Sequence, residues 1–218
     1  MGEGGDRDSI LPMAISLVEQ ELSRLLGARS GHFQFESGHH GNLWLDLDKL
    51  LQQPSRLQPF LAELATRFAK YNVQAVCGPL VGGAFLAQSL ATALHVEFSF
   101  AERIVTADRQ ASSSVTYRIP SGFRGTLHGK RVAIVDDAIN AGSAVRSTLT
   151  DLQFCGANPV AIGALLVLGN AAVRLSAEHD IPVESIAQFP SNLWAPSKCP
   201  LCASQTPLEN AIDEARPD

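Results

Sequence analysis

Apolar residues in this chain fall into stretches of helical spacing and short unbroken runs, and the two take turns through the middle of the sequence. Ile15, Val18, Leu22, Leu25 and Leu26 follow helical spacing and predict a helix over Ile10 to Leu26. Phe60, Leu61, Leu64 and Phe68 do the same for Pro54 to Tyr71. Between them, Gly31 to Leu47 mixes aromatic residues, glycine and histidine and predicts short strands with a turn at Ser37-Gly38. Ala75 to Pro79 predicts a strand closed by a glycine-proline turn, and Gly82 to Ala91 a small-residue helix able to pack closely on a sheet. Val96 to Phe100 predicts the next strand.

From Val105 to Gly129 the pattern dissolves into polar loop, with a hairpin around Tyr117-Arg118-Ile119-Pro120. A long irregular loop in a compact domain tends to be a lid or binding loop. Val132 to Val135 then predicts a strand, followed by a helix through Leu152 and Phe154 and a buried strand over Pro159 to Leu168. From Ile186 onward the tail is proline-rich. This alternation predicts an α/β fold with a parallel sheet. A chain of 218 residues suits one such domain and is short for two.

Composition narrows the partners. Hydrophobic residues at 45% and charged ones at 18% fit a globular chain. A net charge of −5 offers no global field to draw in nucleic acid or an anionic membrane. No apolar run approaches the roughly 20 residues of a membrane span. The start, Met1 to Asp8, is polar and lacks a signal-peptide core, so a cytoplasmic address is expected. Cys77, Cys155, Cys199 and Cys202 do not make a secreted disulfide framework at this length.

The chemistry concentrates after Val132-Ala133-Ile134-Val135, where Asp136-Asp137 lead into Ala138-Ile139-Asn140-Ala141-Gly142-Ser143-Ala144. Open α/β sheets hold ligands at the carboxyl ends of their strands. The small-residue loop offers backbone N–H groups and a helix N-terminus, which suit a phosphate. Two acids beside such a cradle suit a ligand that also carries hydroxyls or a metal ion, as a ribose phosphate does. The alternative is an acidic turn that complements the helix dipole and does nothing else. No P-loop string and no Gly-x-Gly-x-x-Gly fingerprint is present, and receiver-type acid pairs lie near a first strand rather than in mid-chain.

Val135 to Ser143 resembles the phosphoribosyl-pyrophosphate (PRPP) signature of type I phosphoribosyltransferases, where two acids follow a hydrophobic strand and a small-residue loop follows them. Other stretches are similar to one bacterial branch of orotate phosphoribosyltransferases. Gly31-His32-Phe33, Ser37-Gly38 and His40 resemble its N-terminal strands, and Cys77 to Gly83 its pyrophosphate loop. Phe100-Ala101-Glu102-Arg103 resembles its next strand end, and Cys199-Pro200-Leu201-Cys202 with Pro207-Leu208 its tail. The matches run in order from Gly27 to Leu208.

The resemblance implies the type I phosphoribosyltransferase fold, a central parallel sheet flanked by helices with a small hood. It implies a flexible tail over residues 1–9 and one domain over 10–218. The hood would come from about residues 10–50 and the C-terminal tail, the core from about 55–170. It implies a pentosyltransferase of pyrimidine biosynthesis using PRPP, Mg²⁺ and a nucleobase-like acceptor, with orotate yielding orotidine 5′-phosphate and pyrophosphate. Asp136 and Asp137 would hold the ribose hydroxyls and, with PRPP, the Mg²⁺. Asn140, Ala141, Gly142, Ser143 and Ala144 would wrap the 5′-phosphate, while Leu80, Val81, Gly82 and Gly83 bind pyrophosphate through backbone N–H groups. Arg103 would meet the same oxygens and join the acids as catalytic. Arg109 and Arg118 would close as a lid, although Arg109 reads equally well as a solvated loop residue. A homodimer is implied.

This chain also departs from that pattern. Val105 to Pro120 holds no lysine, Glu36 replaces a lysine before Ser37-Gly38, and Asn140 stands where a threonine is usual. Gly169-Asn170 replaces an Asp-Arg pair whose arginine meets the orotate carboxylate, with Arg174 four residues on. These changes keep open a different acceptor base, or a PRPP-binding regulator without turnover. A nucleic-acid-binding regulator is disfavoured by the acidic balance.

Four further features stand apart. His39-His40 suggests a metal, with site-rim packing as the alternative. Cys199 and Cys202 form half of a candidate zinc site, completed by a dimer mate, by histidine, or by nothing. Cys77 and Cys155 read as packing residues. Trp44 and Trp194 suit a hood over the base, core packing or a dimer seam.

Overall fold

The computed structural model describes residues 17–35, 38–106 and 114–210. Its first part comprises helix α1 (Leu17–Leu25), strands β1 (Arg29–Gln34) and β2 (His40–Trp44), and helices α2 (Asp48–Gln52) and α3 (Pro54–Phe68). Strand β3 (Ala75–Pro79), helix α4 (Gly82–Leu94), strands β4 (Glu97–Thr106) and β5 (Ser114–Arg118) and helix α5 (Ser121–Leu127) follow. Next come β6 (Arg131–Ile139), α6 (Ser143–Phe154), β7 (Asn158–Leu168), α7 (Ala171–His179) and β8 (Val183–Phe189). The described chain closes with β9 (Leu193–Trp194), α8 (Pro200–Ala203) and β10 (Glu209–Asn210). Pro54 opens α3, where its missing N–H costs nothing.

Six strands form the core sheet in the order β5-β4-β3-β6-β7-β8. All its pairings are parallel except β4 with β5, which form an antiparallel hairpin. Strand alternation divides the apolar residues between the two faces. Ala133 and Val135 of β6 pack with α1, α3 and α4 through Leu22, Phe60, Leu64, Leu86 and Leu90. Val132 and Ile134 pack on the other face with α6 and α7 through Leu149, Leu152 and Leu175. Each buried valine, leucine, isoleucine or phenylalanine among these contributes roughly 1.5–3 kcal/mol by leaving water. A second sheet, ordered β10-β1-β2-β9, joins strands from both ends of the described chain and forms the hood. Among the described residues no helix is long and apolar enough to cross a membrane.

Several sequence expectations need correction. The described residues between Val105 and Gly129 are more regular than expected: Val105 and Thr106 end β4, Ser114–Arg118 pairs back on it as the hairpin strand β5, and Ser121–Leu127 is α5, while residues 107–113 lie outside the described residues. Strand β5 is short and polar, so its periodicity is too weak to read alone. The core also runs past residue 170, because β8 pairs in parallel with β7 as far as Phe189. Helix α7 was not anticipated either. The predicted helix from Ile10 is described only from Leu17. Residues 1–9, Glu36, Ser37 and Arg109 lie outside the described residues.

Candidate active site

Strand β6 carries Asp136 and Asp137 near its carboxyl end, with Asp136 beside Ala164 of β7. Asp136 is buried, at 9% exposure. The Asp137 N–H donates to Asp136 Oδ1 (3.1 Å), and the Ala138 N–H donates to Asp137 Oδ1 (2.8 Å). Burial pushes the Asp136 carboxyl well above the usual carboxylate range. The Asp137 charge and a side-chain hydrogen bond between the two acids push the same way, and the Asp137 N–H opposes them. Hydroxyl donors or a cation would relieve this crowding.

The start of α4 packs against these acids. A Cβ on Gly82 would lie 2.0 Å from Asp137 Oδ2, and one on Gly83 would lie 2.8 Å from Asp136 Oδ1 and 2.9 Å from the Val135 carbonyl. Only glycine lets the helix start and the acid pair occupy this space. Two motifs far apart in sequence therefore share one strand-end crevice. The Leu80 N–H, expected to bind pyrophosphate, already donates to the Ala101 carbonyl at 2.9 Å. It leaves the donor set, which narrows to Val81, Gly82 and Gly83 at the helix N-terminus.

Asn140 and Ala141 form the turn after β6, and Gly142 at φ +79° leads into α6. Ser143 and Ala144 are thus the first helical residues rather than loop. The 12-residue α6 directs its N-terminus at this turn. Arg146, not singled out in the sequence, holds the turn: its Nη1 donates to the Ala141 carbonyl (2.5 Å) and its Nε to Glu178 of α7 (2.6 Å). Its position one helical turn after Gly142 is the signal that could have found it.

Arg103 lies exposed on β4, paired in register with Tyr117 of β5. Burial pushes the Tyr117 phenol up and the Asp136 charge adds to this, while the Arg103 charge and hydrogen bond oppose it. Tyr117, a residue missed by sequence reasoning, therefore senses both the arginine and the acids. Its N–H donates to Ser147 Oγ (2.7 Å), and the Ile119 N–H donates to Asp151 Oδ2 (2.7 Å), fastening the hairpin to α6. Arg118, expected to close as a lid residue, lines a cleft with Tyr117, Arg124, Asp151 and Phe154.

A further cleft opens where β7 ends, lined by Asn140, Gly169, Asn170 and Arg174 on one side and by Asn192 and Leu193 on the other. Gly169 has φ +58°, and a Cβ there would lie 2.8 Å from the Ser191 carbonyl. The fold spends that position on close backbone approach and places its cation, Arg174, one turn into α7.

In the hood sheet, Cys199 and Cys202 meet His32 and His40, while the neighbouring His39 is exposed. Trp44 and Trp194 stand on β2 and β9, with the Arg29 guanidinium 5.5 Å from the Trp44 ring. Cys77 is buried and its thiol is pushed up to about 12, chiefly by burial; Cys155 is half-buried.

Comparison with known proteins agrees with this geometry. Residues 47–201 match the phosphoribosyl transferase domain family. The chain is 30% identical to an orotate phosphoribosyltransferase of Helicobacter pylori, with 90% of this chain and 97% of that one covered. It is 32% identical to one of Pelotomaculum thermopropionicum, over 82% and 86% respectively. The crystal structure of an orotate phosphoribosyltransferase from Aeropyrum pernix superposes with a TM-score of 0.62 at 22% identity, over 79% of this chain and 94% of that one. The acid pair at a strand end, the glycine helix start beside it and these likenesses together make the chain a member of the phosphoribosyltransferase family.

Proposed function

We propose that the protein transfers phosphoribose from PRPP to orotate, releasing pyrophosphate. The observation that carries this is the meeting of Asp136-Asp137, the Asn140–Gly142 turn and the Gly82-Gly83 helix start at one end of the core sheet. The likeness to curated orotate phosphoribosyltransferases favours orotate as acceptor.

In this reading Asp136 and Asp137 hold the ribose hydroxyls. Asn140, Ala141, Gly142, Ser143 and Ala144 hold the 5′-phosphate at the N-terminus of α6. Val81, Gly82 and Gly83 hold the pyrophosphate, and Arg103 approaches it from the hairpin. The acceptor nitrogen bonds to ribose C1 as the C1–O bond breaks, and pyrophosphate leaves with that electron pair. The ribose becomes oxocarbenium-like in between, so fixed negative charge beside it and a closed hairpin that excludes water both help. The two carboxylates are hard oxygen donors of the kind Mg²⁺ prefers, and Mg²⁺ when bound supplies charge neutralisation on pyrophosphate. Arg174 is the cation that faces the acceptor's carboxylate, in place of the arginine expected at 170. A cytoplasmic homodimer completes the proposal.

Gly169-Asn170 favours a second reading, in which the same PRPP site serves another base. Incubating the chain with PRPP, Mg²⁺ and a panel of bases, with pyrophosphate release as readout, separates the two. Turnover with orotate is expected. Turnover with another base alone would move the acceptor, and PRPP binding without turnover on any base would make the protein a binder.

A further inference from the structure

The hood sheet lacks the apolar centre that the core sheet has. Its buried Phe33 and Leu43, like Cys199 of the tail, belong to neither large core cluster. Two histidines are buried beside them, His32 on β1 at 1% exposure and His40 on β2 at 5%. Cys199 and Cys202 arrive from the tail, the latter within α8, 167 and 170 residues after His32.

The four side chains converge on one point. His32 Nε2 lies 3.1 Å from His40 Nδ1, 3.4 Å from Cys199 Sγ and 3.7 Å from Cys202 Sγ, and Cys202 Sγ lies 3.2 Å from His40 Nδ1. All four ligand atoms fall within 4.8 Å of one another. A tetrahedral zinc ion, with Zn–N near 2.0 Å and Zn–S near 2.3 Å, spaces its ligand atoms by about 3.3–3.8 Å. The other His32 nitrogen, Nδ1, lies 2.9 Å from the Thr206 carbonyl. A carbonyl only accepts, so Nδ1 carries the proton and Nε2 turns a lone pair toward the cluster. Hydrogen bonding alone serves this arrangement poorly, because three groups crowd one lone pair. A cation serves all four at once.

We propose that His32, His40, Cys199 and Cys202 form a closed Cys₂His₂ site for a structural zinc ion that pins the C-terminal tail to the hood sheet. Four protein donors leave no open position, so the ion holds structure rather than activating water. Thiolate and imidazole ligands select zinc over magnesium, which separates this site chemically from the acid pair of β6. A small sheet with little apolar burial gains most from such a staple.

The test uses the untagged full chain, purified under reducing conditions without added metal. Elemental analysis is expected to give one zinc per chain. Exchange for Co²⁺ is expected to produce the visible bands of tetrahedral cobalt and a thiolate charge-transfer band. Cys202 is exposed, so its variants should keep the fold, with circular dichroism as the check. Loss of an outer-shell partner alone costs metal sites about 10–100-fold in affinity. Cys202→Ala should therefore lower zinc affinity at least about 100-fold against a chromogenic chelator. Cys202→His should retain zinc and lose part of the cobalt charge-transfer intensity. A folded wild-type chain that neither carries zinc nor gives the cobalt spectrum after reconstitution would overturn the proposal, whether its thiols are free or joined. Unchanged affinity in Cys202→Ala would overturn it as well. Neither readout uses transferase activity, so the proposal stands or falls apart from the assignment of the acceptor.

Discussion

The two sheets of this molecule are held together by different chemistry. In the core sheet, Val132, Ala133, Ile134 and Val135 of one strand are all 0% exposed, and helices seal both faces. In the hood, two imidazoles of the sheet and a thiol of the tail are buried beside Phe33 and Leu43. The floor of the active site thus depends on packing, which water always favours. Its cover depends on ligands whose grip changes with metal supply and redox state.

The largest expected effect tests the first half of that contrast. Leu90 on α4 is fully buried against the core sheet. Leu90→Ala is expected to cost about 2–5 kcal/mol in denaturant unfolding. The loss should be the same with zinc or with chelator present. A metal-dependent loss would mean that the two regions do not stabilise independently.

Asp136 sets function against stability within the core itself. Asp136→Asn is expected to lower kcat about 10²–10³-fold, the usual scale for losing one preorganised polar group. Stability should stay level or rise. The carboxyl is held above its ordinary range, so the folded state binds more protons than the unfolded one and loses stability as pH climbs past about 4. The Asn variant removes that cost, and the gain over wild type should grow as pH rises above about 4 in thermal melts. A variant less stable than wild type at neutral pH would show that Asp136 is a structural hub.

The same contrast explains what was legible in the sequence. Strand β3 and the opening of α4 were readable because their signals are contiguous, namely an apolar run and paired glycines. The acid pair and the turn after it are equally local. Strand β8 was missed because Val183–Phe189 is half-buried at most positions, and helix α7 because Ala171–His179 buries only Ala171 and Leu175, which leaves little periodicity to read. Tyr117 gave no signal because its place beside Arg103 exists only once the hairpin pairs. The His32–Cys199 meeting was hidden for the same reason, since a Cys-x-x-Cys cannot declare which distant residues complete it. Gly169 looked like the loss of a functional residue, yet its backbone is required by the approach of Ser191.

Arg174 probes the boundary between the regions, since its cleft has a core wall and a hood wall. A charge-assisted hydrogen bond is worth about 1.5–3 kcal/mol. Arg174→Ala should therefore raise the KM for orotate about 10–100-fold with the KM for PRPP unchanged, measured by initial rates with each substrate varied. Equal effects on both would place Arg174 in the PRPP half.

The smallest expected effect crosses that boundary from the hood side. Asn192 and Leu193 form the hood wall, and they are positioned by β2: the Asn192 N–H donates to Asn42 Oδ1 (2.8 Å), Gly41 pairs with Leu193 and His40 with Trp194. His40 is also one of the four zinc donors proposed above, so the metal and the acceptor wall share one short strand. Removing zinc should loosen β2 without touching β3 or β6, which hydrogen exchange would register as faster amides in the hood alone. The KM for orotate should then rise about tenfold or less, the cost of one neutral hydrogen bond, while the KM for PRPP holds. The residues assigned to PRPP in the proposed function all sit on core elements, which is why the two constants should part. If chelation raised both together, the hood would be serving the phosphate half as well, and the division between a packed floor and a ligand-held cover would have to be redrawn at Asn140, the residue proposed for the phosphate that also lines the cleft proposed for the acceptor.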